Sequence, residues 1–335
     1  MSDTALLERA RDGDENAYRR LVEPRQAELH AHCYRMLGSV HDAEDALQEA
    51  LLRAWRALPR FERRSSIRSW LYRIATNTCL DLIAKRPKRV LPIDYGPPSD
   101  PHGGPGPPLV ESVWVEPYPD APDASYEQRE SVELAFIAAL QHLPARQRAV
   151  LILREVLGFS AKEVAESLET TVASVNSALQ RARKTIDEKL PDRSQQATLR
   201  TLGDEQVRAI VERYMDAWER GDVEAVVALL ADDATIAMPP MASWYRGDDV
   251  VVFITDWAFS GRLYDMEGHR RVRVLPTRAN GQPAIGTYAW NEEAGRFLPT
   301  VLQVLTFDGA RIADITGFVD PSAFARFGLP ESLPA

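Results

Sequence analysis

Six polar residues between positions 171 and 184 have the types and spacing of side chains that bind a nucleic-acid duplex. Small hydroxyl residues come first and cations follow: Thr171, Ser174, Ser177, Arg181, Arg183 and Lys184. Hydroxyls suit base edges, whereas guanidinium and ammonium groups suit phosphates. The opposite face of this helix is apolar, at the three-to-four-residue spacing of Val172, Val175, Leu179, Ala182 and Ile186. An amphipathic hairpin with a solvated basic face is the alternative reading.

The element before this helix completes a helix-turn-helix pattern. Its apolar residues are Ala161, Val164, Ala165 and Leu168. Glu169 and Thr170 form the turn between the two helices. We predict four helices in this domain, over residues 126–142, 144–157, 160–168 and 171–190. Pro144 lies where proline is tolerated in a first helical turn.

Two further polar clusters lie near the start of the chain, where helices are predicted over 4–22, 25–37, 41–57 and 67–86. The third helix has a carboxylate-rich face with Asp42, Glu44, Asp45, Gln48 and Glu49. A merely solvated face is the alternative for this cluster. The second cluster places arginines beside aromatic rings, as unstacked single-stranded DNA requires, and comprises Phe61, Arg63, Arg64, Arg68, Trp70 and Asn77. Any of these residues could instead be structural, Trp70 above all.

Residues 87–122 have the composition of a linker, in which seven prolines and four glycines between positions 92 and 108 exclude a persistent helix. Residues 91–125 hold six acidic and no basic side chains, whereas residues 1–90 hold 17 basic and 13 acidic ones. The linker also contains Trp114 and Tyr118, whose large aromatic side chains are not expected in solvent-exposed coil that contacts nothing. We therefore expect both to contact a neighbouring domain.

Residues 204–320 follow an α+β plan. Helices are predicted over 204–220, 222–230 and 248–259, and strands over 269–276, 284–290, 297–307 and 311–319, forming a curved antiparallel sheet. Polar groups available to a pocket are Asp256, His269, Tyr288 and Asp314. No pair among them has the spacing of a recognisable acid/base dyad, so we do not expect an enzyme.

Length and cysteine content indicate a cytoplasmic protein of several domains. A chain of 335 residues is longer than the single domain that one hydrophobic core usually supports. No apolar run approaches the ~18 residues of a membrane span, and Cys33 and Cys79 have the apolar neighbours of reduced buried thiols. His30, His32, Cys33 and His41 lack the spacing of a zinc site, and we expect no metal and no cofactor.

The helical half closely resembles bacterial sigma factors of the extracytoplasmic-function type. Residues 41–56 (HDAEDALQEALLRAWR) and 69–77 (SWLYRIATN) resemble region two, and residues 144–190 resemble region four. The resemblance implies that the acidic face of residues 42–49 binds core RNA polymerase and that the Phe61–Asn77 cluster opens the minus-ten promoter element. It assigns the residue 171–184 cluster to the minus-thirty-five element. Glu169 departs from the family, because glycine is common at that turn position.

The C-terminal region, with its Met238-Pro239-Pro240 and Trp244-Tyr245-Arg246-Gly247 elements, resembles SnoaL-like domains of the nuclear-transport-factor cone fold. The resemblance implies two all-α sigma domains, over 1–88 and 126–193, a linker over 89–125 and an α+β SnoaL-like domain over 200–325. We expect an autoregulated transcription initiation factor whose C-terminal domain contacts the sigma domains or the linker. The alternative is a small-molecule enzyme or ligand sensor coupled to a sigma factor, with an unknown ligand.

Overall fold

The computed structural model describes residues 3–62, 65–109, 113–120, 129–191, 193–264 and 271–335. The chain forms two compact units. The first consists of Met1–Arg89 and Ala135–Leu190, and the second of Val90–Leu134 and Pro191–Ala335.

Helices account for the described N-terminal part of the first unit. They are Asp3–Arg11 (α1), Glu15–Val22 (α2), Gln26–Leu37 (α3), Val40–Ala57 (α4) and Ile67–Ile83 (α5). The prediction of one helix over 4–22 was wrong, because Gly13 adopts a φ of +95° and Asp14 caps a new helix by accepting from Ala17 N at 3.0 Å. Ser39 caps α4 in the same way, accepting from Asp42 N.

The helix-turn-helix region follows the predicted order. Its helices are Leu134–Gln141 (α6), Ala145–Leu151 (α7), Ala161–Ser167 (α8) and Val172–Asp187 (α9), and α7 continues as a π-turn over Ile152–Val156. Ser160 and Glu163 form a capping box that fixes the start of α8. Glu169 adopts a φ of +51°, the left-handed conformation for which glycine is favoured.

A six-stranded sheet and several helices form the second unit. The helices are Gln195–Leu202 (α10), Asp204–Arg220 (α11), Val223–Val227 (α12) and Asp248–Phe253 (α13). The strands are Leu230–Ala237 (β1), Trp244–Arg246 (β2), Val272–Ala279 (β3), Gln282–Asn291 (β4), Arg296–Asp308 (β5) and Arg311–Phe318 (β6). Their order is β2-β1-β6-β5-β4-β3.

The sheet is mixed, which corrects the expectation of an antiparallel one. β1 pairs with β6 in parallel, and the other neighbours are antiparallel. The core lies between the sheet and α11, where Tyr214, Trp218, Phe253 and Leu305 are buried. Within the described ranges, no helix has both the length and the apolar character needed to cross a membrane.

Candidate nucleic-acid and polymerase interfaces

Helix α9 presents all six predicted DNA-binding side chains to solvent. Thr171 is its N-cap and accepts a hydrogen bond from Ser174 N at 3.1 Å, so both hydroxyls lie at the helix start. The opposite face is buried through Val175, Leu179, Ala182 and Ile186. Val172 departs from the predicted apolar face and is 43% exposed, because it lies in the first turn, beyond the helices that cover the others.

The cations of α9 differ in how strongly they are already engaged. Arg183 forms an ion pair with Glu155 at 2.8 Å, and Lys184 lies 3.9 Å from Glu188. Arg181 donates to the Ser177 hydroxyl at 2.6 Å, which is an uncharged partner. Since exposed ion pairs are weak, all three cations can exchange these contacts for phosphate.

The acidic face of α4 is narrower than the sequence predicted. Asp45 and Gln48 are exposed, Glu44 and Glu49 are half-buried, and Glu49 accepts from Arg53 at 2.7 Å. These four polar side chains leave a surface that a basic partner could contact.

The structure removes Asp42 from that predicted surface. Asp42 is 5% exposed, and its carboxylate forms ion pairs with Arg86 and, at 2.6 Å, with Arg89. The basic segment after α5 covers the first turn of α4, so the Asp42 carboxylate is neutralised within the first unit and is not presented to a partner.

The aromatic residues of the predicted single-strand cluster are core residues. Phe61 and Trp70 are 6% and 5% exposed, and their ring centroids lie 4.8 Å apart. They therefore support α5 from inside and cannot stack on a base in this conformation. Asn77 is exposed, whereas Arg63 and Arg64 lie outside the described residues.

Arg68 contacts residues from both helical regions. Its guanidinium lies 5.1 Å from the Tyr72 ring centroid and 4.8 Å from that of Phe159, at cation–π distance. Next to it, Ser69 donates to Glu163 of α8 at 3.3 Å. The predicted single-strand surface on α5 is thus packed against the helix-turn-helix.

A second contact between the same two regions is buried, and sequence reasoning missed it. The Arg148 guanidinium donates to Met36 O at the end of α3 and to Gln141 Oε1 at 2.5 Å. Burial lowers the pKa of Arg148 to about 10, so the side chain stays protonated at neutral pH. The sequence does not show which of Arg146 and Arg148 is buried: in the structure Arg146 is exposed and Arg148 is buried.

The linker is bound by the C-terminal domain within the second unit. Tyr118 and Asn280 form a two-bond ladder: Tyr118 N donates to Asn280 Oδ1 at 2.9 Å, and Asn280 N donates to Tyr118 O at 2.8 Å. Asp120 extends it by accepting from Arg278 and, at 2.6 Å, from Gly281 N. The Trp114 ring centroid lies 5.2 Å from that of Tyr95, which also belongs to the linker.

The linker segment over residues 96–109, here called the strap, also lies on the C-terminal domain. The indole N–H groups of Trp244 and Trp257 donate to Gly96 O and Pro101 O at 2.8 and 3.0 Å. Gly104 lies against Trp257 so closely that a Cβ would come within 2.6 Å of the indole ring. Before the strap, the linker forms a single helical turn over Pro92–Tyr95, which is far shorter than the persistent helix that its composition excludes.

The interior of the C-terminal domain is packed. The cavity bounded by Trp218, Phe253 and Gln303 measures about 20 Å³, which is room for about one water molecule. Tyr214 donates to Gln303 Oε1 at 2.7 Å, and Gln303 donates to Thr287 Oγ1 at 3.1 Å. Gln303 is therefore paired on both sides, with Tyr214 and with Thr287.

The polar residues considered for catalysis do not converge. Tyr288 donates to Pro330 O at 2.8 Å, Asp256 lies 3.6 Å from His102 of the strap, and His269 is outside the described residues. Asp314 accepts from Thr235 and Thr316, although burial raises the pKa of its carboxyl.

His32, considered above as a metal ligand, is used in packing. Its Nε2 lies 2.8 Å from Thr76 Oγ1, and burial lowers the pKa of the imidazole to about 3. In the described part of the chain, no group of three His, Cys, Asp or Glu side chains is arranged to hold a metal ion.

Three family models match successive parts of the chain. Residues 21–89 match Sigma-70 region 2, residues 133–186 match Sigma-70 region 4, and residues 211–315 match the SnoaL-like domain. This order is the one inferred from the sequence.

Individual relatives agree. The ECF RNA polymerase sigma factor SigG of Mycobacterium tuberculosis is 42% identical over 334 residues, covering 96% of this chain and 86% of SigG. The ECF sigma-E factor of Escherichia coli is 31% identical over 198 residues, covering 57% of this chain and 95% of that protein. The crystal structure of M. tuberculosis SigJ, 22% identical, covers 92% of this chain and all of SigJ with a TM-score of 0.59, which supports the overall fold.

Proposed function

Because this chain belongs to the extracytoplasmic-function sigma factors of RNA polymerase, we propose that its fused SnoaL-like domain regulates promoter recognition by holding the linker. The proposed partners are core RNA polymerase and promoter DNA, and the proposed location is the cytoplasm, where both partners are found. The observation that carries the regulatory proposal is the pairing of Asn280 with the linker at Tyr118 and with Val132, which follows the linker and precedes α6.

The polymerase-binding surface is proposed to be the exposed part of the α4 face, centred on Asp45, Gln48 and Glu49. Reversal of Asp45 and Glu49 to Lys should abolish holoenzyme assembly without unfolding the chain. Asp45 is exposed, and the half-buried Glu49 forms only a surface ion pair with Arg53, worth about 0–1 kcal/mol. Asp42 is excluded from this surface, because its carboxylate is buried against Arg86 and Arg89.

The promoter-binding surfaces are proposed to be the hydroxyl and cation face of α9 and the Arg68 surface of α5. In the compact form, Arg68 contacts Phe159 and Ser69 contacts Glu163. Single-stranded DNA requires that surface to be accessible. Engagement of a promoter therefore requires the two helical regions to separate.

Regulation follows from where the linker is held. The linker joins the two helical regions, and its docked residues restrict how far those regions can move apart. Asn280 is buried and holds the chain at residue 132, two residues before α6 begins.

Promoter-specific transcription with core polymerase tests this role. We expect the full chain and a chain ending at residue 193 to differ several-fold in transcript yield from the same promoter. Equal yields at equal holoenzyme occupancy would contradict a regulatory role for the C-terminal domain, while the sigma-factor assignment would stand.

The C-terminal domain is proposed to act as a binding and regulatory module with no catalytic activity of its own. In support, the Tyr214–Gln303–Thr287 relay occupies the interior, and the cavity there is about 20 Å³. Small-molecule sites usually enclose about 300–1,000 Å³.

A further inference from the structure

A cavity of about 410 Å³ lies in the first unit, between the end of α5 and the start of α7. Its volume falls within the range of about 300–1,000 Å³ typical of small-molecule sites. The walls come from both helical regions: Leu37, Leu82, Ile83 and Pro87 on one side, and Leu143 and Pro144 on the other. These apolar walls suit a flat, uncharged body.

Basic side chains surround this cavity. Arg86, Lys88, Arg89 and Arg148 line it, against one carboxylate, that of Asp42. Asp42 pairs with Arg86 and Arg89, so the lining retains a surplus of positive charge. Lys88 Nζ lies 3.0 Å from His142 Nδ1, which places an ammonium group at the cavity wall next to the imidazole.

A buried polar atom supplies an independent sign of a missing partner. Arg148 is 4% exposed, and its Nη1 and Nη2 donate to carbonyl and amide oxygens of Met36, Gln141 and Leu143. Its Nε is also buried, yet it has no hydrogen-bond partner among the described residues. Buried donors are normally satisfied by protein, water or ligand.

We propose that this cavity binds a small phosphorylated metabolite of nucleotide size, with its phosphates on Arg86 and Lys88 and its ring against the apolar walls. Guanidinium and ammonium groups are the side chains that bind phosphate most strongly. Because the walls come from both helical regions, the bound metabolite stabilises their compact arrangement. This site goes beyond the proposed regulation by the C-terminal domain and does not depend on it.

Calorimetric titration of the full chain with GDP and ADP tests the proposal, with guanosine as the probe that lacks phosphate. We expect saturable 1:1 binding of at least one nucleotide, no binding of guanosine, and at least tenfold weaker nucleotide binding by Lys88→Ala. Lys85→Ala is the matched control, because Lys85 is exposed and does not line the cavity. This control should bind as the wild type does.

A second variant fills the cavity without removing charge. Ala145 is half-buried and lines the cavity, so Ala145→Trp should abolish nucleotide binding while leaving the basic side chains in place. Equal nucleotide affinity in wild type, Lys88→Ala and Ala145→Trp would locate binding at the DNA surfaces and overturn the proposal. Binding of pyrophosphate without either nucleotide, equal weakening by Lys85→Ala, or no binding at millimolar nucleotide would also overturn it.

Discussion

Asn280→Gly provides a sharp test of linker docking, because one side chain binds the linker at Tyr118 and the chain after the linker at Val132. Asn280 Oδ1 accepts from Tyr118 N at 2.9 Å, and its Nδ2 donates to Val132 O at 2.8 Å. The Asn280 backbone adopts a φ of +55°, which glycine reaches without strain. The substitution therefore removes the side-chain bonds while the local turn is retained.

The expected magnitude follows from the two lost bonds. Each leaves a partly or fully buried backbone group unpaired, at about 1–3 kcal/mol, unless the linker detaches into water. A loss of about 2 kcal/mol in docking free energy raises the detached population about 30-fold, at about 1.4 kcal/mol per factor of ten. Amide hydrogen exchange over residues 113–120 should accelerate by that factor, and transcript yield should rise several-fold.

Asn291→Gly is the matched control, because Asn291 lies at the opposite end of β4 and accepts from Ala294 N within its own turn. Unchanged exchange over residues 113–120 in Asn280→Gly, relative to this control, would refute the inferred contribution of the side chain. Faster exchange with unchanged transcript yield would show that docking does not regulate promoter recognition.

Three further predictions concern single residues. Burial raises the pKa of Glu133 from 4.5 to about 7, so the protonated side chain contributes about 3 kcal/mol to the free energy of unfolding below pH 4.5. This contribution is lost as the pH rises through 7. Urea unfolding at pH 5 and pH 8 should therefore show a smaller difference in the free energy of unfolding for Glu133→Gln than for the wild type. Gly104→Ala should displace the strap from Trp257, since the ring lies within 2.6 Å of the new Cβ, and limited proteolysis within residues 96–109 should quicken. Arg181→Ala should weaken promoter binding on all sequences and reduce the salt slope by about one; a change in sequence preference alone would contradict a phosphate contact.

Periodicity predicted the elements that bury one face of a helix. The apolar spacing of Val175, Leu179, Ala182 and Ile186 identified α9, and all four residues are buried. At Val172 the same spacing failed, because periodicity cannot show where the covering helices end. Gly13 was missed for a related reason: one glycine within a helical pattern is often tolerated, and here it instead adopts a positive φ and ends α1.

Charge alone did not predict which acidic residues face solvent. Asp42 and Asp45 are three residues apart and look equivalent in sequence, yet Asp42 is 5% exposed and Asp45 is exposed. The difference comes from Arg86 and Arg89, which lie more than 40 residues away and return to the first turn of α4. Long-range ion pairs of this kind leave no local pattern.

The strap shows how a linker composition can specify a docked segment. Proline and glycine provide no side-chain donors, and the strap binds through its backbone. Its carbonyl groups accept from Trp244, Trp257 and Ser243. Its N–H groups at Ser99 and Leu109 donate to carbonyl groups of the domain. Each contact is made to backbone that belongs to no long helix or strand, so it can break without unfolding an element. The sequence predicted a segment that is free of persistent secondary structure, and in the strap the structure describes one short 3-10 turn, Pro101–Gly103, while the backbone around it binds the domain.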